Sequence, residues 1–453
     1  MSEVLVKADP TKERNTAAWV TFIASFALVF DGYDLTIYGT VLPTLLADPS
    51  HIGDLDPGTA GALGSYAMLG VLFGALFAGA IGDFIGRRKL MLLSIAWFSV
   101  GMIITAMVQT VFMFGLLRFL TGLGLGALLA VAGATVAEFA PAERKSLYNA
   151  VAYCGIPLGG MLAAGLGILL MDHIGWRGLF IIGGTPLLII PLALVKLPES
   201  PRWLLSRGRR EEAIALATKH GLPLVEESKM VDDVKVTERT GFAALLTKKF
   251  LLPTIFIGFM AYSGLLLTYG LQTWLPNIME GYGYDPDASL FFLLMLNFGA
   301  AFGAIICSRA ADKVGPRPLI LGSFILAVFS LSLLTIEFPL PVMLFLIACA
   351  GMGSIGTMIL GYGFVAGYYT TNARGAGVAW YAGFGRLGGV TGPLIGGFLA
   401  GAGLSANANF YVFAGVALIG VLMISLVRRQ RDMEQLHEAI EDAEEDKKVL
   451  EET

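Results

Sequence analysis

Twelve stretches of predominantly apolar residues follow one another along this 453-residue chain, and few folds accommodate such a series. They run at roughly 18–46, 58–81, 90–108, 111–139, 147–171, 177–196, 251–274, 286–308, 318–336, 340–368, 375–401 and 409–428. A helix needs about 20 apolar residues to cross the hydrocarbon core of a bilayer. A composition of 56% hydrophobic and 15% charged residues, with a mean hydropathy of +0.72, is also far from that of a soluble domain. The expected fold class is an all-α membrane protein with twelve transmembrane helices, each satisfying its own backbone polar groups. The first stretch follows Lys7, Lys12 and Arg14 and itself holds two acids, which is a poor pattern for a cleaved signal peptide.

The placement of charge orients and divides the chain. With both termini in the cytoplasm, 28 of the 31 Lys and Arg residues fall on the inner side of the plasma membrane, as the positive-inside rule requires. The other three are Arg177 at an outer end and Arg118 and Arg386 in mid-span. One long polar stretch separates six spans from six: an amino-terminal bundle at 1–196, a linker at 197–250, a carboxy-terminal bundle at 251–428 and an acidic tail at 429–453. Within the linker, 208–220 is expected to form an amphipathic helix against the membrane. Gly82-Asp83-Phe84-Ile85-Gly86-Arg87 returns as Ala311-Asp312-Lys313-Val314-Gly315-Pro316-Arg317 at an offset of 229 residues, and the same offset carries Gly122-Leu123-Gly124 onto Gly351-Met352-Gly353. Such a duplicated six-helix unit places a substrate site near the midplane, between the halves.

Gly82-Asp83 followed by Gly86-Arg87-Arg88, then Arg118 with Gly122, Gly124 and Gly126, and Pro198-Glu199-Ser200-Pro201-Arg202 after span 6 resemble the signatures of the major facilitator superfamily. Within it, Asp31-Gly32-Tyr33-Asp34 in span 1, with Asn372-Ala373-Arg374-Gly375 and Gly385-Arg386 around span 11, resembles the aromatic acid/proton symporters, which include benzoate and 4-hydroxybenzoate permeases. The run from Asp31 to Gly39 looks most like the benzoate branch. The sequence departs from the family pattern at Thr370, where a proline is common, and in a second-half loop motif without its leading glycine and doubled arginine.

Asp31 and Asp34 lie three residues apart, so they share a helix face about one turn long. A charge at membrane depth costs about 2.5 to 3.5 kcal/mol on insertion scales, so both need a use or a partner. Two crowded, poorly hydrated carboxylates make proton exchange near neutral pH feasible. Asp34 resembles the span-1 acid that works with a span-4 arginine in related proton-coupled sugar porters, and that arginine would be Arg118. Counted from the outer ends, Arg118 sits roughly 10 Å and Asp34 roughly 18 Å deep at about 1.5 Å per residue, within side-chain reach of each other. Asp34 is therefore the expected carrier of the coupled proton, with Arg118 released when it protonates. A purely structural ion pair is the competing reading, and no partner for Asp31 is evident.

Arg386 also falls near the midplane, in the other half. Its guanidinium, in a cavity holding Trp380, Tyr381 and Phe384, is suited to a carboxylate held by paired hydrogen bonds while the rings stack an arene. Pairing with a backbone carbonyl or with Asp31 is the alternative. Tyr33, Tyr38, Tyr262, Tyr269, Gln272, Trp274, Asn297 and Tyr362 are further cavity candidates, although packing or an interface belt accounts for such residues more often. Asp83, Arg87, Glu138 and Arg144 are expected to tie helix ends together in one state and release them in another, with Gly82 and Gly86 permitting the tight turn. Asp312, Arg317 and Arg374 would do the same in the second half.

Several functions are disfavoured. The four histidines, His51, His173, His220 and His437, lie outside the mid-spans and no nucleophile and base stand together, so an enzyme is not expected. Cys154, Cys307 and Cys349 are scattered singly, which argues for packing rather than metal or disulfide. Gly351-x-Gly353-x-x-Gly356 matches a dinucleotide fingerprint but lies inside an apolar helix with no preceding strand. The reading is a monomeric symporter without cofactor, metal or nucleic-acid partner, importing a monocyclic aromatic carboxylate with protons by alternating access. Muconate, gentisate, another organic anion or a polyol are alternative cargoes, and a sensor signalling through the acidic tail is a different class.

Overall fold

The computed structural model describes residues 3–226 and 241–427; the acidic tail beyond Val427 and part of the linker lie outside the described residues. Span 1 is the helix Pro10–Ala47, which starts eight residues before the apolar stretch because the Asp9 side chain accepts hydrogen bonds from the amides of Thr11 and Lys12, with Pro10 in the first turn. Spans 2, 3 and 4 are Pro57–Ile85, Arg87–Thr105 and Val111–Phe139. Span 5 begins with Lys145–Tyr153, breaks at Cys154 and continues from Gly155. Gly175, at φ 64° and ψ 179°, turns the chain into span 6, which continues through Thr185–Ile189 to Ile190–Lys196. Among the described residues nine helices are long and apolar enough to cross a membrane, and one of them runs through this turn.

Spans 7 to 12 are Leu251–Gly281, Pro286–Val314, Pro316–Leu333, Leu340–Tyr368, Thr371–Gly401 and Ala406–Leu426. Span 7 continues past Pro276. Trp274 lies at its core rather than in an interface belt, buried and donating its indole N–H to Pro393 O at 2.9 Å.

The repeat is visible in three dimensions. Asp56 and Asp285, 229 residues apart, cap spans 2 and 8 with their side chains, and Gly86 and Gly315 end those spans at φ 96° and 83°. An L side chain is disfavoured at such angles, which explains the glycine in both loop motifs. Gly70 meets Gly122 backbone to backbone between spans 2 and 4; a Cβ on Gly122 would lie 2.2 Å from Ala67 O. Gly299 and Gly351 occupy the equivalent places between spans 8 and 10.

One element was not expected in an all-α chain. Glu3–Val6 pairs antiparallel with Leu224–Glu226 of the linker. The linker also carries the helices Pro201–Ser206 and Arg210–His220, the second buried along Ala213 and Ala217 and ended by Gly221 in the left-handed region.

The halves close on each other at the face away from the linker. There Ser65 Oγ donates to Val390 O at 2.6 Å, and the Gly61 and Gly397 backbones abut. Gly160 of span 5 packs directly on the Asn297 amide of span 8. Towards the linker face, Tyr362, in the inner part of span 10, is 42% exposed although its ring lies 4.9 Å from that of Tyr381. Tyr153 of span 5, in the other half, and Arg386 lie within electrostatic reach of it, so that exposure is read as a cavity between the halves.

Candidate functional site

Span 1 forms one wall of the cavity and passes very close to span 5. A Cβ on Gly32 would lie 1.9 Å from Ile156 O, so the glycine between the two acids is a packing requirement. Asp34 turns into the amino-terminal half. Its Oδ1 accepts from Arg118 Nη1 at 2.7 Å, with 0% and 2% of the two side chains exposed. Tyr38 supports this pair, its ring 5.5 Å from the guanidinium carbon and its hydroxyl donating to Ala60 O at 2.6 Å. Asp34 Oδ2 and Arg118 Nε have no hydrogen-bond partner among the described residues, so the pair is buried but incompletely satisfied there.

Asp31 is also buried, at 3% exposed, yet it makes no hydrogen bond or ion pair among the described residues. The charges it feels are those of Asp34 and, from the opposite half, Arg386. Arg386 is half-buried and likewise makes no hydrogen bond or ion pair among the described residues. Its electrostatic neighbours include Asp31, Tyr153, Tyr269 and Tyr362, drawn from spans 1, 5, 7 and 10. The hydroxyls of Tyr269 and Tyr362 take no hydrogen bond among the described residues. Among the described residues, then, a cation and a carboxylate without bonding partners and three phenols, drawn from both halves, lie within electrostatic reach of one another.

Other expected site residues are placed elsewhere. Trp380 and Phe384 stack on each other at 4.9 Å, with Trp380 Nε1 bonded to Thr254 O and Phe384 against Phe259 and Tyr262 of span 7. They cannot flank Arg386, because positions 384 and 386 differ by about 200° around a helix of 3.6 residues per turn. Tyr381 is buried with its hydroxyl on Met358 O of span 10. Tyr33 is buried inside its own half, donating to Leu179 O at 2.8 Å. Tyr262 bonds Thr391 Oγ1. Gln272 and Asn297 are engaged with each other at 3.4 Å, and Gln272 also accepts from Thr36 of span 1, so their polar groups serve the seal between halves.

The loop motif forms a different network from the expected one. Arg87 pairs with Glu138, as the spacing suggested, but the second oxygen of Glu138 accepts from Ser200 Oγ. Glu199 Oε1 accepts from the amides of Arg88 and Ser200. Asp83 contributes its backbone carbonyl, to Trp203 Nε1 at 2.7 Å and Arg207 Nη2 at 2.5 Å, and its carboxylate makes no ion pair among the described residues. Arg144 is exposed and outside the network. In the second half Arg317 donates to Ser425 O, Arg374 is exposed with no hydrogen bond or ion pair among the described residues, and the Asp312 side chain lies outside what is described. Glu199, Ser200, Trp203 and Arg207 thus join a contact network that the sequence did not place them in, although Glu199 and Ser200 stand in one of its motifs. Nothing in sequence pointed to Tyr153.

Comparison with known proteins places this geometry in context. The family model described as Major Facilitator Superfamily matches residues 24–307 and 288–451. The Benzoate transport protein of Acinetobacter baylyi is 33% identical over 91% of this chain and 90% of its own length. The Gentisate transporter of Corynebacterium glutamicum is 32% identical, over 90% of this chain and 86% of that one. The 4-hydroxybenzoate transporter PcaK of Pseudomonas putida is 30% identical, over 90% and 93%. Among solved structures, the inward open conformation of the xylose transporter XylE from E. coli superposes with a TM-score of 0.71 at 16% identity, over 93% of this chain and 99% of that one, a likeness of fold.

Proposed function

The chain belongs to the aromatic-acid transporter family of the major facilitator superfamily, and from that premise we propose that it imports a monocyclic aromatic carboxylate of the benzoate type, with one or more protons, by alternating access. The observation that carries this reading is Arg386, a guanidinium on the cavity wall with no hydrogen bond or ion pair among the described residues. A planar guanidinium holds a carboxylate through paired hydrogen bonds. Tyr269 and Tyr362 beside it offer ring surface for the arene and free hydroxyls for its polar edge.

The protons follow from energetics. A membrane potential negative inside opposes entry of an anion by about 2.3 kcal/mol per charge per 100 mV. Accumulation of a benzoate-like anion therefore needs cation co-transport, and the acids of span 1 are the proton acceptors at hand. In this reading both termini and the linker face the cytoplasm, and the cavity opens inward.

The test is uptake into proteoliposomes of benzoate, 4-hydroxybenzoate, gentisate and muconate at several values of pH. Accumulation of at least one aromatic acid should rise with an inward proton gradient, and its absence across the panel overturns the assignment. Arg386→Ala should raise the apparent KM for the transported acid at least tenfold and more than Arg118→Ala does. Equal effects would remove Arg386 as the anchor.

A further inference from the structure

Spans 8 and 10 cross at contacts between small residues. A Cβ on Gly299 would lie 1.9 Å from Ala348 O, and one on Gly303 would lie 2.4 Å from the Met352 side chain. Helices that approach this closely leave their larger side chains standing to the sides of the contact. Here those side chains wall a groove of about 510 Å³, with Phe291, Phe298, Phe302 and Ile306 on span 8 and Leu344 and Phe345 on span 10. None of the residues lining it is charged. Phe302, Ile306 and Phe345 are 52%, 55% and 65% exposed, so the groove opens on the outer surface of the bundle, where these apolar spans meet hydrocarbon.

Two cations continue the same stripe of span 8 past the groove, at the linker face. Arg309 is seven residues beyond Phe302, and Lys313 is seven beyond Ile306. Seven residues fall about 20° short of two full turns at 3.6 residues per turn, so each cation stands in line with a groove residue. Both are exposed and make no hydrogen bond or ion pair among the described residues. The offset of 229 residues puts Ala80 and Phe84 at the equivalent places in the first half, so the duplicated unit does not itself demand cations there. Lys and Arg gather on one side of a membrane protein as a rule, and alignment with an apolar groove is what singles out these two.

We propose that the groove between spans 8 and 10 holds an acyl chain of an anionic phospholipid, whose phosphate head group is bound by Arg309 and Lys313. Two positive side chains beside hydrocarbon select a head group of net negative charge, because a zwitterionic one brings its own cation. The groove runs roughly 22 Å along span 8 at about 1.5 Å per residue. That exceeds half of a roughly 30 Å hydrocarbon core, so a chain entering from the linker face lies within it through the full depth of its leaflet. All the residues concerned belong to the carboxy-terminal half, and the lipid stays in place when the halves part. The site is independent of which acid the protein carries.

Photocrosslinking in a bilayer tests this. Full-length protein in phosphatidylcholine nanodiscs receives a trace of phospholipid with a diazirine on one acyl chain and either a phosphatidylglycerol or a phosphatidylcholine head group, and the labelled peptides are identified by mass spectrometry. The phosphatidylglycerol probe should label 291–306 and 341–352 about twentyfold more strongly than the phosphatidylcholine probe, as two cations facing an anionic head group require. Each charge removed should cost about fivefold, so Arg309→Gln/Lys313→Gln should show little preference between the probes. Cys349→Phe, which fills the groove and keeps both cations, should lose the labelling by either probe. Equal labelling of wild type by the two probes, or a preference undiminished in the double variant, overturns the proposal. A groove labelled by neither probe overturns it too, and chemical crosslinks between copies at span 10 would then assign that face to a second copy. The comparison of the two probes on wild-type protein needs no variant, and the double variant alters only exposed side chains.

Discussion

Asp34 and Arg118 show what one residue can decide in this protein. A buried ion pair stabilises little by itself, but removing one member strands the other without water or partner, at a cost of about 3–5 kcal/mol. Arg118→Ala and Asp34→Asn should both lower the thermal unfolding temperature in detergent markedly. Asp31→Asn should leave it unchanged or raise it, because Asp31 has no partner to lose among the described residues and the amide carries no charge to desolvate. A fall for Asp31→Asn as large as for Asp34→Asn would mean that Asp31 has a structural partner. The first pair was legible from sequence because depth along a helix is counted in steps of about 1.5 Å. The aromatic wall was misplaced because composition near Arg386 says nothing of azimuth: Trp380 and Phe384 are neighbours in sequence but face span 7.

Among the helices, close approach decides which spans move as one. Gly32 of span 1 rests on the Ile156 carbonyl of span 5, and Gly159 rests on Val29 O in return. Gly32→Ala cannot be absorbed by a side-chain rotation, since the atoms it meets are backbone. Overpacking of this kind costs about 1–3 kcal/mol or more, and the variant should show a smaller monodisperse fraction on size-exclusion chromatography than Gly58→Ala, where the neighbour is a flexible carboxylate. The linker adds a second element-scale expectation. Burial, and secondarily Lys219, push the His220 imidazole below its ordinary value, and its Nδ1 meets Thr16 Oγ1 at 3.3 Å. A histidine lowered in the folded state favours the neutral form there, so the docking it supports is fully present above pH 6.5 and is lost as pH falls from there through the folded value. Protection of the 210–226 amides, with exchange corrected for its base-catalysed intrinsic rate, should fall on acidification through that window, and His220→Phe should abolish the dependence. The linker helix was foreseeable from its charge pattern, whereas the strand pair was not. Four residues at Glu3–Val6 carry no periodicity of their own and find their partner more than two hundred residues away.

At the scale of the whole molecule, the two halves form a hinge that is shut at one face. The seal is built from Ser65 on Val390, Gly61 on Gly397, and Thr36 bonded to Gln272, all between halves. Alternating access requires these contacts to part in every cycle. With the three native cysteines replaced, a Ser65→Cys/Val390→Cys pair should cross-link under oxidation, stop uptake and recover on reduction; uptake undiminished by a complete cross-link would show that this face does not open. The Arg87–Glu138–Ser200 and Glu199 contacts lie within the amino-terminal half and its linker, so parting of the halves does not require them to break. The chain's sequence alone determined the twelve spans, the duplication and the depth of each charge, because hydrophobicity, period and rise per residue are local quantities. Only the tertiary structure decided which way each side chain turns and which face is closed. It also separated Asp31 from Asp34, since a charge acquires its role from what stands opposite it, and Arg118 and Arg386 come from distant parts of the chain.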